Sequence, residues 1–211
     1  MLKQIIAALA STLALSTSAG AATLFSDNFD GEVPGLNAVP SQWSIVDGTV
    51  DIIGSGPNGS LFDLLPGHGY YLDLDGSTNN AALMSHGPLA LNAGTVYTLS
   101  FLLAGSQRGD TNSMTYGMDW NGDNVLDLFA SVALPSEAPF TSFTLPFIAP
   151  ITTTSARIIF NHAGGDNLGL LLDNVALSTP VPEPETYAML VAGFGLLGFI
   201  ARRRKRRAGG A

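Results

Sequence analysis

The sequence has no cysteine among its 211 residues, and only 12% of them are charged. Without a thiol there is no disulfide framework, no cysteine-ligated zinc or iron–sulfur centre and no thiol nucleophile. The low charge excludes a coiled coil, and 46% hydrophobic residues exclude a disordered chain. Basic residues are nearly missing from the middle of the chain. Of nine lysines and arginines, Lys3 lies near the start and six form one run: Arg202, Arg203, Arg204, Lys205, Arg206 and Arg207. Residues 23–180 keep only Arg108 and Arg157 against fifteen acidic residues, a net charge of −13. Such a segment repels phosphate backbones, so nucleic acid is excluded as its partner. The same acidic excess suits solubility outside the cell or cation binding.

The two ends carry what the middle lacks. Residues 1–22 read as a secretory signal peptide with a signal helix: Lys3 supplies the positive region and Ile5–Leu15 the apolar one. Ala19-Gly20-Ala21 fits the small-residue cleavage site, which predicts cutting after Ala21 or Ala22. At the other end, Val181, Pro182, Glu183 and Pro184 form a stiff extended segment, because two prolines fix φ and turn their predecessors away from helix. Residues 186–201 follow, uncharged and mostly apolar, and the basic run 202–207 comes at once. Sixteen helical residues reach about 24 Å, against a hydrocarbon core of roughly 30 Å. A slightly longer helix with snorkelling arginines crosses as a single transmembrane span. The positive-inside rule puts the basic run in the cytoplasm and residues 23–185 outside.

The order of these three parts resembles the PEP-CTERM sorting signal, here covering residues 181–211 from Val181 to Ala211. The resemblance implies recognition by an exosortase, a membrane-embedded transpeptidase-like enzyme. It also implies transient anchoring in the inner membrane by the C-terminal helix, cleavage near Pro182-Glu183-Pro184, and release or attachment at the cell surface. The signal belongs with Gram-negative bacteria that make exopolysaccharide.

Between the two signals, residues 23–180 read as a single all-β domain. Eight to ten short segments alternate or run apolar between turns, among them Val96–Ala104, Ser113–Trp120, Val125–Leu134, Phe140–Phe147, Ala156–Asn161 and Gly169–Leu177. Gln42–Val46 and Thr49–Ile53 flank Asp47-Gly48, which predicts a two-residue hairpin. Leu61–Leu65 predicts a helical turn stopped by Pro66-Gly67. Segments apolar on both sides fit two sheets packed face to face. The pattern predicts an antiparallel, jelly-roll-like β-sandwich. Asn28-Phe29-Asp30, Trp43, Tyr97-Thr98-Leu99-Ser100-Phe101 and Leu172-Asp173-Asn174-Val175-Ala176-Leu177 resemble the carbohydrate-binding-module and galactose-binding-like jelly rolls. That resemblance implies a structural calcium shared by the first and last strands, with Asp30 or Glu32 and Asp173 at the matching positions.

A second cation candidate is the run from Asp119 to Asp127, where Asp119, Asn121, Asp123 and Asp127 put oxygens at alternating places. Asn124 replaces the glycine and Ala130 the bidentate glutamate of an EF-hand loop, so it is not one; a calcium loop and an Asn-Gly-Asp turn both stand as readings. Gly54-Ser55-Gly56-Pro57-Asn58-Gly59 spells a dinucleotide fingerprint, but Pro57 removes a donor and no helix follows, so it reads as a loop. His68, His86 and His162 lie beside glycines, which places them in surface loops, and no spacing suits a zinc site or a triad. Asp73 and Asp75 share a strand face about 7 Å apart and read as a solvated edge. No catalytic residue is assigned. The sequence predicts a non-enzymatic, exported surface protein, sorted by an exosortase-type enzyme and acting in the exopolysaccharide matrix as a glycan- or calcium-binding sandwich. A polysaccharide-acting enzyme on the same fold and a ligand-free structural or adhesive protein remain the alternatives.

Overall fold

The computed structural model describes residues 22–180, so the signal segment before Ala22 and the sorting tail after Pro180 lie outside the described residues. The described chain runs through β1 (Ala22–Asp27), β2 (Gly35–Ala38), β3 (Ser44–Asp47), β4 (Val50–Gly56), β5 (Gly59–Leu61), β6 (Tyr70–Asp73) and β7 (Leu83–Leu91). It continues through β8 (Val96–Ala104), β9 (Thr111–Asp119), β10 (Leu128–Pro135), β11 (Thr141–Ile148), β12 (Thr153–Ala163) and β13 (Leu171–Thr179). Among the described residues no helix is long and apolar enough to cross a membrane. An eight-stranded sheet has the order β11-β8-β13-β6-β4-β2, with β1 beside β13 and β5 beside β4; a five-stranded sheet has the order β10-β9-β12-β7-β3. Every pairing is antiparallel. Two such sheets, joined by strands that cross between them, make a jelly-roll-like sandwich.

The period of two along each strand builds the core. On β8, Tyr97, Leu99, Phe101 and Leu103 point inward and are at most 2% exposed. They meet Met114, Tyr116 and Met118 of β9 and Ile158 and Phe160 of β12 in one cluster. Phe101 sits at its centre, edge-on to Tyr116 at 4.8 Å and to Phe160 at 5.1 Å. Edge-to-face rings of this kind add about 0.5–1.5 kcal/mol each beyond their buried area.

The strands that are apolar on both sides have a different cause from the one expected. Ile53, Tyr71, Ala104 and Leu171 face away from the central core and form a second, smaller cluster. Leu61, Leu64, Leu65 and Phe140 roof it. A loop thus buries the outer face of the large sheet, where a second sheet was expected to do so. The roof segment is not the predicted helical turn. Leu61 ends β5 and Phe62 takes a positive φ of 42°, which an α-helix excludes. The predicted Asp47-Gly48 hairpin is also absent. β3 pairs with β7 and β4 pairs with β2, β5 and β6, so these two residues carry the chain from one sheet to the other. Gly48 has φ 72°, and a Cβ there would lie 2.1 Å from the Ala81 carbonyl oxygen. The turn residues were right for a sharp reversal, but Thr49 donates its N–H to Asn80 at 3.0 Å instead of closing a ladder with β3. The glycine-rich run at 54–59 is a hairpin between β4 and β5, turning at Pro57-Asn58.

Candidate functional site

Asp27 at the end of β1, Asp30 in the turn after it and Asp173 of β13 share one electrostatic neighbourhood. Asp173, on β13, is fully buried and accepts hydrogen bonds from the Asn174 backbone N–H at 2.6 Å and from its Nδ2 at 2.9 Å. Burial lifts its carboxyl to about 7; the Asn174 donors oppose the rise and the nearby Asp30 and Asp27 charges add to it. Asp30 accepts the Tyr70 N–H on Oδ1 at 3.0 Å and the Asn28 Nδ2 on Oδ2 at 2.8 Å. Asp27 takes the Trp43 indole N–H at 2.9 Å, fixing the end of β1 to the core. Sequence reasoning missed Asp27, although it lies one residue before the Asn28-Phe29-Asp30 motif. Glu32 faces elsewhere: its Oε1 accepts both the backbone N–H and the hydroxyl of Ser41, at 2.7 and 2.6 Å. Among the described residues no three acidic or histidine side chains converge as a metal-ligand group.

The Asp119–Asp127 segment joins β9 to β10, and its side chains cap its own backbone. The buried Asp119 carboxylate accepts the N–H groups of Asn121, Gly122 and Asn124, at 2.9, 2.7 and 2.7 Å. Asp123 takes the Val125 N–H at 2.9 Å and Asp127 the Trp120 N–H at 2.7 Å, while Asn121 accepts from Asp123 at 2.9 Å. Short Asx side chains bonding two residues onward are what makes such a loop rigid. Asp119 therefore fixes the position of Asn124, and Asp123 that of Val125, which Leu126 follows.

Asn124, Val125 and Leu126 form one wall of a trough of about 420 Å³ on the outer face of the five-stranded sheet. The ladder register lays out its floor. Leu83 on β7, Asn161 on β12, Thr115 on β9 and Ser131 on β10 lie opposite one another in one row across four strands. The next row is Ser85, Ile159, Gly117 and Phe129. Gly117 is required here: a Cβ would stand 1.9 Å from the Leu128 carbonyl oxygen, so only glycine lets β10 approach. Phe129 and Val125 rise from the rim 61% and 63% exposed. None of the described residues lining the trough is ionisable.

Several sequence expectations outside the trough are corrected by burial. Asp73 and Asp75, read as a solvated edge, are 1% and 0% exposed. The loop before β13 folds onto them: Asp75 Oδ2 accepts the N–H groups of Gly165, Asp166 and Asn167, and Asp73 Oδ1 accepts that of Gly169. His162, read as a loop residue, is on the inward face of β12 and 4% exposed. Its Nε2 accepts the Leu170 N–H at 3.1 Å, and burial holds its pKa below the usual value against the fields of Asp75, Asp110 and Asp166. His86 is on β7 rather than in a loop; it stacks on Phe25 with centroids 3.5 Å apart, and burial lowers its pKa as well. His68 does lie in an exposed loop, between β5 and β6.

Residues 180–206 match the PEP-CTERM protein-sorting motif. The motif marks an exported protein that an exosortase processes at the membrane. No curated protein matches the chain. Among solved structures, an arabinose-bound GH51 α-L-arabinofuranosidase is similar at 13% identity with a TM-score of 0.55, covering 78% of this chain. The matched part is 28% of that enzyme's length. The C-terminal family 22 carbohydrate-binding module of Clostridium thermocellum Xyn10B is similar at 14% identity and TM-score 0.45, covering 76% of this chain and 96% of the module. The CBM22-1 xylan-binding domain of Paenibacillus barcinonensis Xyn10C gives 11% identity, TM-score 0.46 and coverages of 77% and 97%. The likeness is one of fold.

Proposed function

We propose that this protein is a non-enzymatic surface protein whose sandwich binds a neutral polysaccharide along the trough of its five-stranded sheet. The observation that carries the reading is the row of amide and hydroxyl groups, Asn161 beside Thr115, in a trough that the exposed Phe129 of the neighbouring row also lines. Sugar rings offer an apolar face to an aromatic and hydroxyls to side-chain amides, and a shallow open trough admits a chain rather than a chain end. With no ionisable lining and a domain charge of −13, an anionic chain is disfavoured. The trough also holds no carboxylate pair for acid–base cleavage, which supports binding over hydrolysis. The sorting motif supports export and handling at the membrane; on this reading the domain then works at the outer surface of a Gram-negative cell, where the exopolysaccharide matrix supplies the ligand. We also infer that a structural calcium would sit beside Asp30 and Asp173, whose carboxylates would supply only part of its oxygen shell, since no three acidic side chains converge among the described residues. There it serves as a tie between the first and last strands and not as part of the trough.

The test is retention of the full chain, in mild detergent, on immobilised xylan, on the host's own exopolysaccharide and on an anionic polysaccharide, with calcium and with chelator. Asn161→Ala and Phe129→Ala are expected to weaken retention on a neutral chain about tenfold each, an energy of roughly 1.4 kcal/mol, without moving the melting temperature. Unchanged retention in both variants, or equal retention on the anionic chain, would overturn the reading. No retention on any of the three would leave a ligand-free structural or adhesive protein.

A further inference from the structure

The eight-stranded sheet carries a second hollow, of about 290 Å³, on its outer face. Its floor holds an unusual pair: Asp51 of β4 and Asp73 of β6 are direct cross-strand partners. Like charges placed opposite each other in a ladder destabilise it, and these two are 4% and 1% exposed. Arg108 pairs with Asp73 through Nη2. Asp51 has no cation among the described residues; its oxygens accept the Asn37 N–H at 2.7 Å and the Ser77 N–H and hydroxyl at 3.2 and 2.8 Å. Two carboxylates and one guanidinium leave the hollow one positive charge short. Two buried polar atoms of its walls, Arg108 Nε and Asn167 Oδ1, have no hydrogen-bond partner among the described residues.

The rest of the wall is apolar, and its mouth is built from exposed side chains. Phe62 and Leu36 are 62% and 48% exposed beside it. Phe62 also holds a φ of 42°, a conformation that costs a bulky residue energy and that clusters at ligand sites. A bare metal ion does not match these walls: calcium needs six to eight oxygens, and Leu36, Ile53, Phe62 and Leu64 offer no side-chain oxygen. What matches is a cation with an apolar face and hydroxyls.

We propose that this hollow is a second ligand site, independent of the trough, for a protonated amino-sugar residue. Its ammonium group sits against the Asp51–Asp73 pair and its ring face against Phe62. The hydroxyls of the sugar supply donors and acceptors at the level of Arg108 and Asn167. Asp73 is ionised at neutral pH, since its carboxyl titrates at about 6.

The probe is the trisaccharide of glucosamine, set against the same trisaccharide N-acetylated, with the full chain in mild detergent near pH 7 and calorimetric readout. The free amine is expected to bind at least about tenfold more tightly, because only it forms charge-assisted hydrogen bonds. Phe62→Ala should lose about tenfold of that affinity with no loss of melting temperature, since the ring is exposed. Asp73→Asn should narrow the gap between the amine and its acetylated form. Equal binding of the two sugars, no binding of either, or full affinity in Phe62→Ala would overturn the assignment. One-for-one displacement of the amino sugar by calcium would overturn it in favour of a metal site.

Discussion

Asp73→Asn tests the electrostatics of the large sheet directly. Burial raises the Asp73 carboxyl from 3.8 to about 6, with the Arg108 charge pulling it down and Asp51 pushing it up. A folded-state pKa above the unfolded one means the folded protein holds this proton more tightly. Stability from this group is therefore fully present below pH 4, is lost as pH climbs to about 6, and stays lost above it. A rise of this size in a carboxyl pKa corresponds to about 3 kcal/mol. Asparagine keeps an oxygen to accept the Asp75 and Gly169 N–H groups, now 3.1 and 2.9 Å from Oδ1. Arg108, 27% exposed at its side chain, can turn to water. Between pH 4 and pH 7.5 the variant should thus gain about 3 kcal/mol relative to the parent, or some 6–12 °C in melting temperature. The lowered pKa values of His86 and His162 take stability from both proteins below about pH 6.5, and cancel in the difference. Thermal melts of the two proteins at the two pH values, followed by near-ultraviolet circular dichroism, give the number. Melting curves that shift in parallel with pH would refute the reasoning.

Gly117→Ala drives a Cβ into the Leu128 carbonyl oxygen, so it should destabilise the sandwich by at least the roughly 1–3 kcal/mol typical of overpacking, read as a lower urea midpoint. Asp173 titrates near 7, so above that pH its buried charge opposes folding; calcium at pH 8 should raise the melting temperature of the parent but not of Asp173→Asn, and an unchanged parent melt would remove calcium from the account. Replacing Pro182, Glu183 and Pro184 with alanine should block processing in the native host, and a mature mass equal to the parent's would contradict exosortase handling.

What was legible in the sequence was whatever depends on neighbours along the chain. The β8 segment was read to the residue, because Tyr97, Leu99, Phe101 and Leu103 alternate without interruption and β8 lies between two strands. The sorting tail was legible for the same reason, three local features in fixed order. Pairing between distant segments was not. Asp47-Gly48 has the residues of a hairpin turn, yet Gly48 serves a crossover because β3 finds its partner in β7, nearly forty residues away. β7 itself escaped notice because His86, Gly87 and Pro88 interrupt its pattern. The trough was invisible because Leu83, Asn161, Thr115 and Ser131 become a row only through the register of three ladders. Burial of Asp73 and Asp75 comes from a loop that closes on them from 90 residues downstream or more, through Gly165 to Asp75 and Gly169 to Asp73, and His162 is buried at the root of that same loop.

The pairing of β1 with β13 sets what cleavage at the two expected sites would take from the sandwich. Ala22 lies opposite Thr179 in that ladder, so the described chain enters and leaves at neighbouring points of one sheet. The buried core begins at Phe25 and ends at Leu177. Cutting at the predicted signal site, after residue 21 or 22, removes at most the outermost pair of the ladder. Cutting near Pro182-Glu183-Pro184 removes none of it. Both cuts would fall outside the strands that carry the core, and Asp27, held by the Trp43 indole, pins β1 inside the first of them. A sandwich closed by its own first and last strands would keep the strands that shape its proposed ligand faces after either cut, because neither cut reaches them.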